Sequence, residues 1–118
     1  MAQAAFGKRV KELRNQQRLT QQKLAVQVSV DVGYISKIEA GKVPPPSEKV
    51  IERLALALKI SKDELMVLGG RAPKDLEPII TGDVRIPTIL RRARGLSPQD
   101  WAQVERYIEQ LAASKQEH

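Results

Sequence analysis

The sequence predicts an all-α protein, and three observations support that prediction. Aromatic residues make up only 3% of the 118 residues, so the core must be built from aliphatic side chains. Apolar residues recur at the three- and four-residue spacing of a helix face in several segments. Residues that start and stop helices separate those segments. A short chain with an aliphatic core is most simply built from packed helices.

Five amphipathic segments are predicted as helices in the first 69 residues: 4–17, 21–28, 32–40, 47–59 and 61–68. The last four each follow or begin with a residue that caps helix N-termini, namely Thr20, Asp31, Ser47 and Ser61. Gly41 is predicted to end the third helix in a left-handed conformation. Three consecutive prolines, residues 44–46, predict an extended connection before the fourth helix.

The glycine pair Gly69-Gly70 is the strongest predicted domain boundary. We therefore expect a first domain over residues 1–69, a linker over 70–85 and C-terminal helices over 86–118. Within the last part, Pro87 predicts the start of one helix. Ser97 and Pro98 predict the start of a longer helix that continues to about residue 115.

The composition and charge of the chain limit the partners and the kinds of site that it can have. The net charge of +6 favours a polyanionic partner, either nucleic acid or an anionic membrane surface, and residues 1–68 carry most of the excess. Cysteine is absent and His118 is the only histidine, so we expect no metal, no cofactor and no catalytic site. The longest apolar run, residues 54–58, is too short for a membrane span. With no signal peptide visible, we expect a cytoplasmic protein.

Residues 19–41 carry the most specific pattern in the chain. Two short helices are joined by a tight turn, and small Ala25 stands where the helices would cross closely. This stretch resembles the helix-turn-helix of Cro/phage-repressor-type regulators, the XRE family. Arg14, Pro46-Ser47 and the segment 60–65 match the same family pattern, so the resemblance covers about residues 6–68. It implies a five-helix, lambda-repressor-like DNA-binding domain whose second motif helix enters the major groove.

The resemblance implies that Gln21, the first residue of helix two, binds a DNA phosphate together with the neighbouring Gln22. A helix N-terminus offers free N–H groups and a positive dipole end for that contact, and a solvated helix start is the alternative for Gln21. Tyr34 and Lys42 are further phosphate candidates, with packing against helix two as the alternative for Tyr34.

By position, Val32, Gly33, Ser36 and Lys37 match the residues with which the family reads bases. Val32 offers only an apolar contact, best suited to a thymine methyl group. Gly33 reads no base but permits a close backbone approach. Ser36 and Lys37 are the polar candidates, and Lys37 has two open readings, guanine or phosphate.

Arg14 and Glu39 match a family pair that joins helix one to the end of helix three, and we interpret the pair as structural. The C-terminal helix has an apolar stripe that its own helix cannot bury. We expect this stripe to form a homodimer interface, with intramolecular packing as the alternative: Trp101, Val104, Tyr107, Ile108 and Leu111. The basic cluster 91–94 either touches flanking DNA or forms a solvated face.

These expectations combine into one function. The chain is predicted to be a sequence-specific transcriptional regulator, a repressor by analogy. We expect it to be of prokaryotic or phage origin, to associate with the nucleoid, and to bind palindromic double-stranded DNA as a homodimer. The alternative is an antitoxin that binds a toxin and represses its own operon. An enzyme is not expected, because the chain has no cysteine, only a terminal histidine and no phosphate loop.

Overall fold

The structure, a computed structural model, describes residues 2–116, and every regular element in that range is helical, as predicted. The chain divides into two compact units on either side of the Leu76–Glu77 bond. The first unit contains a 3-10 turn and the helices α1 (Ala2–Gln16), α2 (Gln21–Val28), α3 (Val32–Glu39), α4 (Glu48–Leu58) and α5 (Lys62–Leu68). The second contains α6 (Glu77–Thr81), α7 (Arg85–Arg92) and α8 (Pro98–Gln116).

The predicted N-caps of the first unit are confirmed by their hydrogen bonds. The Thr20 hydroxyl accepts from the Lys23 N–H at 3.1 Å, and the Asp31 carboxylate accepts from the Gly33 N–H at 2.9 Å. Serines begin α4 and α5 in the same way. These side chains satisfy N–H groups that have no partner inside the helix, so each helix starts at a defined residue.

Five left-handed residues follow the five helices of the first unit: Arg18, Ser29, Gly41, Lys59 and Gly70. After each, the next N–H donates back across the last helical turn, as from Val30 to the Ala25 carbonyl at 3.0 Å. This is the Schellman arrangement, which satisfies the carbonyl groups at a helix end.

The core of the first unit is aliphatic apart from Phe6. Its fourteen buried members are Phe6, Val10, Leu13, Leu24, Ala25, Val28, Ile35, Ile38, Ile51, Leu54, Ala55, Leu58, Leu65 and Met66. They come from all five helices, which agrees with the helical periodicity of the sequence. Helix α3 lies against both α1 and α2, so the core holds it between two supports.

One close approach in this core requires glycine. A Cβ atom on Gly7 would lie 2.1 Å from the Ile38 carbonyl oxygen and 2.9 Å from that of Glu39. Helix α1 therefore contacts the C-terminal end of α3 backbone to backbone, and any side chain at position 7 would push the two helices apart.

The segment 70–85, predicted as a linker, is partly ordered on the first unit. The Arg71 guanidinium donates to the Pro45 carbonyl, and the Lys74 N–H donates to the Glu48 carboxylate at 2.9 Å. These bonds hold residues 71–74 beside the start of α4. The rest of the predicted linker contains α6 and the first residue of α7.

The start of α7 differs from the prediction. The helix begins at Arg85 and Pro87 is its third residue. The reason is Asp83, whose carboxylate accepts from the Arg85 N–H at 2.8 Å and also binds the Arg85 guanidinium. This local contact begins the helix two residues earlier than the proline alone indicated.

The second unit has no buried residue in α6, α7 or α8. Helix α6 packs against α7, whereas α8 does not pack along either of them. His118 lies outside the described residues. Between residues 2 and 116, no helix combines the length and the apolar character needed to cross a bilayer.

Candidate nucleic-acid interface

Helix α2 presents two glutamines in its first turn. The Thr20 hydroxyl is occupied as the N-cap, in agreement with its predicted role. Gln22 is exposed and Gln21 is half-buried. Free N–H groups and the positive end of the helix dipole make this turn a favourable place for a phosphate oxygen.

The turn between α2 and α3 contains Ser29 in the left-handed region, with φ of 62°. Glycine is the residue that adopts this conformation without strain, so serine here costs about 1 kcal/mol. The turn is nevertheless regular, because Ser29 and Val30 both donate back to the last turn of α2. The angle between the two helices is therefore defined by hydrogen bonds and by the buried Ala25.

The outer face of α3 collects the predicted base-reading residues. Ile35 and Ile38 point into the core, whereas Val32, Ser36 and Lys37 are exposed. Val32 and Ser36 are one helical turn apart, and so are Gly33 and Lys37, so all four lie side by side. The structure thus brings this predicted set together on one solvent-facing surface.

Gly33 is tied to the helix cap. A Cβ atom at this position would lie 2.8 Å from a carboxylate oxygen of Asp31, the same oxygen that accepts the Gly33 N–H. A larger residue at position 33 would require the Asp31 side chain to move. The first turn of α3 therefore presents bare backbone to a ligand.

The other two predicted phosphate contacts differ in their surroundings. Tyr34 is half-buried and packs against the hydrophobic core. Lys42 is exposed just after α3, and its N–H donates to the Lys37 carbonyl at 2.9 Å. Both side chains lie near the ends of α3.

The Arg14–Glu39 pair forms a two-pronged hydrogen-bonded contact. Arg14 Nε donates to Glu39 Oε2 at 2.7 Å, and Nη2 donates to Oε1 at 3.0 Å. The second Nη group donates to the Leu19 carbonyl at 2.8 Å. These bonds raise the pKa of Arg14 above its usual value, chiefly through Glu39, so the guanidinium stays charged. The pair connects α1, the start of the turn before α2 and the end of α3.

Gln21 also belongs to this contact, which the sequence did not indicate. Its Nε2 donates to Glu39 Oε1 at 3.1 Å. An amide nitrogen has two hydrogens, so the second remains available to an acceptor. Glu39 therefore orients Gln21 at the N-terminus of α2 while it anchors the end of α3.

The charge of the first unit complements a polyanion. Residues 1–68 contain twelve Lys and Arg against seven Asp and Glu. Lys37 and Lys42 both lie at the α3 surface without an ion-pair partner among residues 2–116. A positive surface of this kind attracts nucleic acid independently of its sequence.

Comparison with known proteins agrees with this geometry. Residues 5–68, just over half of the chain, match the model of a family described as a helix-turn-helix domain. The chain belongs to this family. The predicted resemblance to XRE-type regulators is confirmed, and the helix-turn-helix domain places the chain in a class of DNA-binding transcriptional regulators.

Two relatives from Bacillus subtilis (strain 168) are similar over just over half of the chain. The uncharacterized HTH-type transcriptional regulator RghRB is 40% identical over 65 residues, which are 55% of this chain and 47% of that protein. The HTH-type transcriptional repressor RghR is 39% identical over 66 residues, 56% of this chain and 49% of that protein. The chain thus spans about half the length of these curated relatives.

A solved structure supports the fold. A chain of the SinR protein/SinI protein complex aligns with 92% of this chain and 98% of its own length, with a TM-score of 0.51 and 21% sequence identity. At that identity the likeness concerns the fold alone. It agrees with the predicted lambda-repressor-like, all-α helix-turn-helix architecture.

Proposed function

We propose that this helix-turn-helix protein is a sequence-specific transcriptional repressor that binds a palindromic operator as a homodimer in the bacterial cytoplasm. The observation that carries the proposal is the surface of α3, where Val32, Ser36 and Lys37 are exposed on a helix held rigidly from behind. A helix presented in this way fits the major groove of B-DNA.

Phosphate contacts on both sides of α3 would fix the protein on the duplex. Gln21 and Gln22 approach one phosphate through the N-terminal turn of α2, and Lys42 with the Tyr34 hydroxyl approaches others. The hydrogen bond from Gln21 to Glu39 supports this role, because it holds the amide at the helix end. Contacts of this kind set the register without reading sequence.

Base recognition then depends on few side chains. Val32 packs against a thymine methyl group, Ser36 donates to or accepts from a base edge, and Lys37 donates to guanine O6 or N7. Because Gly33 adds no side chain, sequence-dependent DNA shape supplies part of the specificity.

The exposed stripe of α8 supports the homodimer. Ile108 is 59% exposed and Leu111 is 50% exposed, and no residue of this 19-residue helix is buried. A helix in a protein gains most of its stability from burying an apolar face. A second copy would bury the stripe and place two recognition helices on two half-sites.

Repression rather than activation is proposed because one relative is a repressor by name, RghR. A dimer seated on an operator would exclude other proteins from the same duplex. The matched part is 56% of this chain and 49% of the relative, so the similarity supports the DNA-binding part of this proposal more directly than its regulatory direction.

Lys37→Ala tests the assignment of α3. The probe is duplex DNA that the full chain selects from a random-sequence pool, and binding is followed by fluorescence anisotropy. If Lys37 reads guanine, the variant loses about 1–3 kcal/mol of affinity and no longer discriminates at one base pair. If it binds phosphate, affinity falls uniformly and the salt dependence weakens by about one charge.

Lys8→Ala is the matched control, because Lys8 is an exposed lysine of α1 outside the candidate surface. Its operator affinity should equal that of the wild type within about 0.5 kcal/mol. Identical affinity of the Lys37 and Lys8 variants for every DNA sequence would contradict the placement of α3 in the groove. Failure of the wild type to select any sequence would contradict the function.

The doubly substituted Ile108→Asp, Leu111→Asp chain tests the dimer. Charges in the stripe should give monomers by sedimentation and weak operator binding, because burial of an unpaired carboxylate is unfavourable. Gln103→Asp with Gln110→Asp places two acids elsewhere on α8 and should leave the dimer intact. Wild-type chains that sediment as monomers at operator-binding concentrations would contradict the homodimer.

A further inference from the structure

The second unit carries opposite charges on two different helices, each beside an exposed apolar stripe. Acidic residues accompany the stripe of α8, and arginines accompany that of α7. Neither group is neutralised by the described part of the chain. The two surfaces complement each other in sign, and this complementarity indicates what covers them.

On α8, Glu105 and Glu109 lie at the edge of the apolar stripe. They line one shallow surface groove with Trp101 and Ile108, which are 45% and 59% exposed. The two carboxylates are one helical turn apart, a spacing at which like charges destabilise a helix. No cation of residues 2–116 lies within ion-pair distance of either carboxylate.

On α7, Ile89 and Leu90 are 57% and 47% exposed. Arg91, Arg92 and Arg94 follow at the C-terminal end of this helix, and within residues 2–116 none of them forms an ion pair. Arg85, on the same helix, differs because it binds Asp83. Three arginines therefore lie at the end of α7 or just beyond it, with no carboxylate of residues 2–116 within ion-pair distance.

The charged residues of the two helices occupy short segments. Glu105 and Glu109 are separated by about 6 Å along the axis of α8. Arg91 and Arg92 are the last two residues of α7, and Arg94 lies two residues beyond its end. Their long side chains give the guanidinium groups the reach to meet both carboxylates.

We infer that α7 of one copy lies along α8 of the second copy in the homodimer, with Arg91, Arg92 and Arg94 facing Glu105 and Glu109. The inference rests on the homodimer proposed above and adds its pairing. Two-fold symmetry produces the same contact twice, since each copy supplies one α7 and one α8. The arginines neutralise the glutamate pair while the two apolar stripes cover each other.

Two other arrangements are less consistent with the observations. DNA as the partner of the arginines would leave Glu105 and Glu109 without a cation beside Trp101. Pairing of the two helices inside one copy would require α7 to pack along α8, and in the structure it does not. A second copy satisfies both charged groups at once.

Charge reversal in full-length chains tests the pairing. One variant carries Glu105→Arg and Glu109→Arg, and the other carries Arg91→Glu, Arg92→Glu and Arg94→Glu. Each variant alone would place like charges opposite each other at both contacts, so its dimer dissociation constant should rise at least about tenfold. Mixing the two variants restores opposite charges at both contacts, and a heterodimer of near wild-type affinity should form.

The matched control carries Gln103→Lys and Gln110→Lys, which add charge to α8 away from the groove that Glu105 and Glu109 line. Its dissociation constant should stay within about threefold of the wild type. Circular dichroism of each variant verifies that the helices persist. Sedimentation of labelled mixtures distinguishes heterodimers from homodimers.

Each outcome decides the inference. Dimers of either single variant as tight as the wild type would overturn the α7–α8 pairing and leave the homodimer standing. Weak dimers that mixing does not rescue would indicate pairing within one copy. An arginine variant that dimerises as tightly as the wild type but binds the operator more weakly, with a reduced salt dependence, would assign the arginines to DNA instead. A monomeric wild type would remove the homodimer itself.

Discussion

Replacing Glu39 with alanine removes one carboxylate that serves three donors. Arg14 contributes two of the hydrogen bonds and Gln21 the third, over distances of 2.7–3.1 Å. The substitution therefore tests whether this contact fixes the recognition helix against α1. We expect it to lower the stability of the first unit and, separately, its affinity for DNA.

The expected loss of stability follows from the burial of the Arg14 and Glu39 side chains. The Glu39 side chain is 3% exposed and that of Arg14 is 11% exposed, so the substitution leaves a nearly buried guanidinium without its anion. Removing one partner of a buried ion pair costs about 3–5 kcal/mol. Arg14 retains the Leu19 carbonyl and some contact with water, which reduces the expected loss to about 2–3 kcal/mol.

Amide hydrogen exchange measures this loss of stability separately for the first unit of the chain. The buried residues Val10 in α1 and Ile35 in α3 report opening of the first unit, and the second unit does not contribute to their signals. Glu12→Ala is the control, because Glu12 pairs with Arg9 at 3.7 Å on the exposed side of α1. Its loss should not exceed about 0.5 kcal/mol.

The same variant should bind operator DNA more weakly even where it is fully folded. Without Glu39, the end of α3 is released from α1 and the Gln21 amide loses its fixed orientation. Opening free energies from hydrogen exchange at Val10 and Ile35 within about 0.5 kcal/mol of the wild type would refute the reasoning. So would a loss for Glu39→Ala equal to that for Glu12→Ala.

Two further predictions concern a strained turn and an acid-sensitive contact. Ser29→Gly should stabilise the first unit by about 0.5–1 kcal/mol, because glycine adopts the left-handed conformation freely, whereas Ser36→Gly inside α3 should destabilise it by about 1 kcal/mol. Equal effects on hydrogen exchange would contradict this. Lys62 lowers the pKa of Glu48, so the contact stabilises the fold above the ordinary glutamate pKa and weakens as pH falls through the lowered value. Protection of the Lys74 amide should follow that titration and become independent of pH in Glu48→Gln.

Features set by neighbouring residues could be predicted from the sequence. The bounds of α2 are those expected from the Thr20 cap and the apolar periodicity that ends at Val28. The outer face of α3 was predicted for the same reason, because burial of Ile35 and Ile38 leaves Lys37 exposed on a regular helix. Local hydrogen bonding and helical period determine both features.

Residue type did not predict the left-handed conformation that follows three of the helices. Arg18, Ser29 and Lys59 all have φ near 60°, although each has a side chain that disfavours that conformation. Their conformation follows from the core, since the helices must end where the next one crosses them. In the first unit, residue type alone indicates such an end only at Gly41 and Gly70.

Several contacts between segments that are far apart in the chain could not be predicted from the sequence either. Gln21 and Glu39 are eighteen residues apart, and their hydrogen bond depends on the angle between α2 and α3. The backbone contact of Gly7 with the end of α3 depends equally on tertiary packing. Arg71 reaches back to Pro45 and thereby orders part of a segment that composition alone describes as a linker.

The proposed DNA recognition depends on both the surface of α3 and the exposed helices of the second unit. Asp31 occupies the space beside Gly33, so a base-reading side chain at position 33 would require the carboxylate that caps the helix to shift. In the proposed homodimer, each copy would read a half-site with little more than Ser36, Lys37 and one methyl contact at Val32. At about 1–3 kcal/mol per good base contact, one such surface distinguishes few sites in a genome. Two such surfaces held at a fixed spacing would add their discrimination, and the unburied stripe of α8 would then have a direct role in sequence recognition.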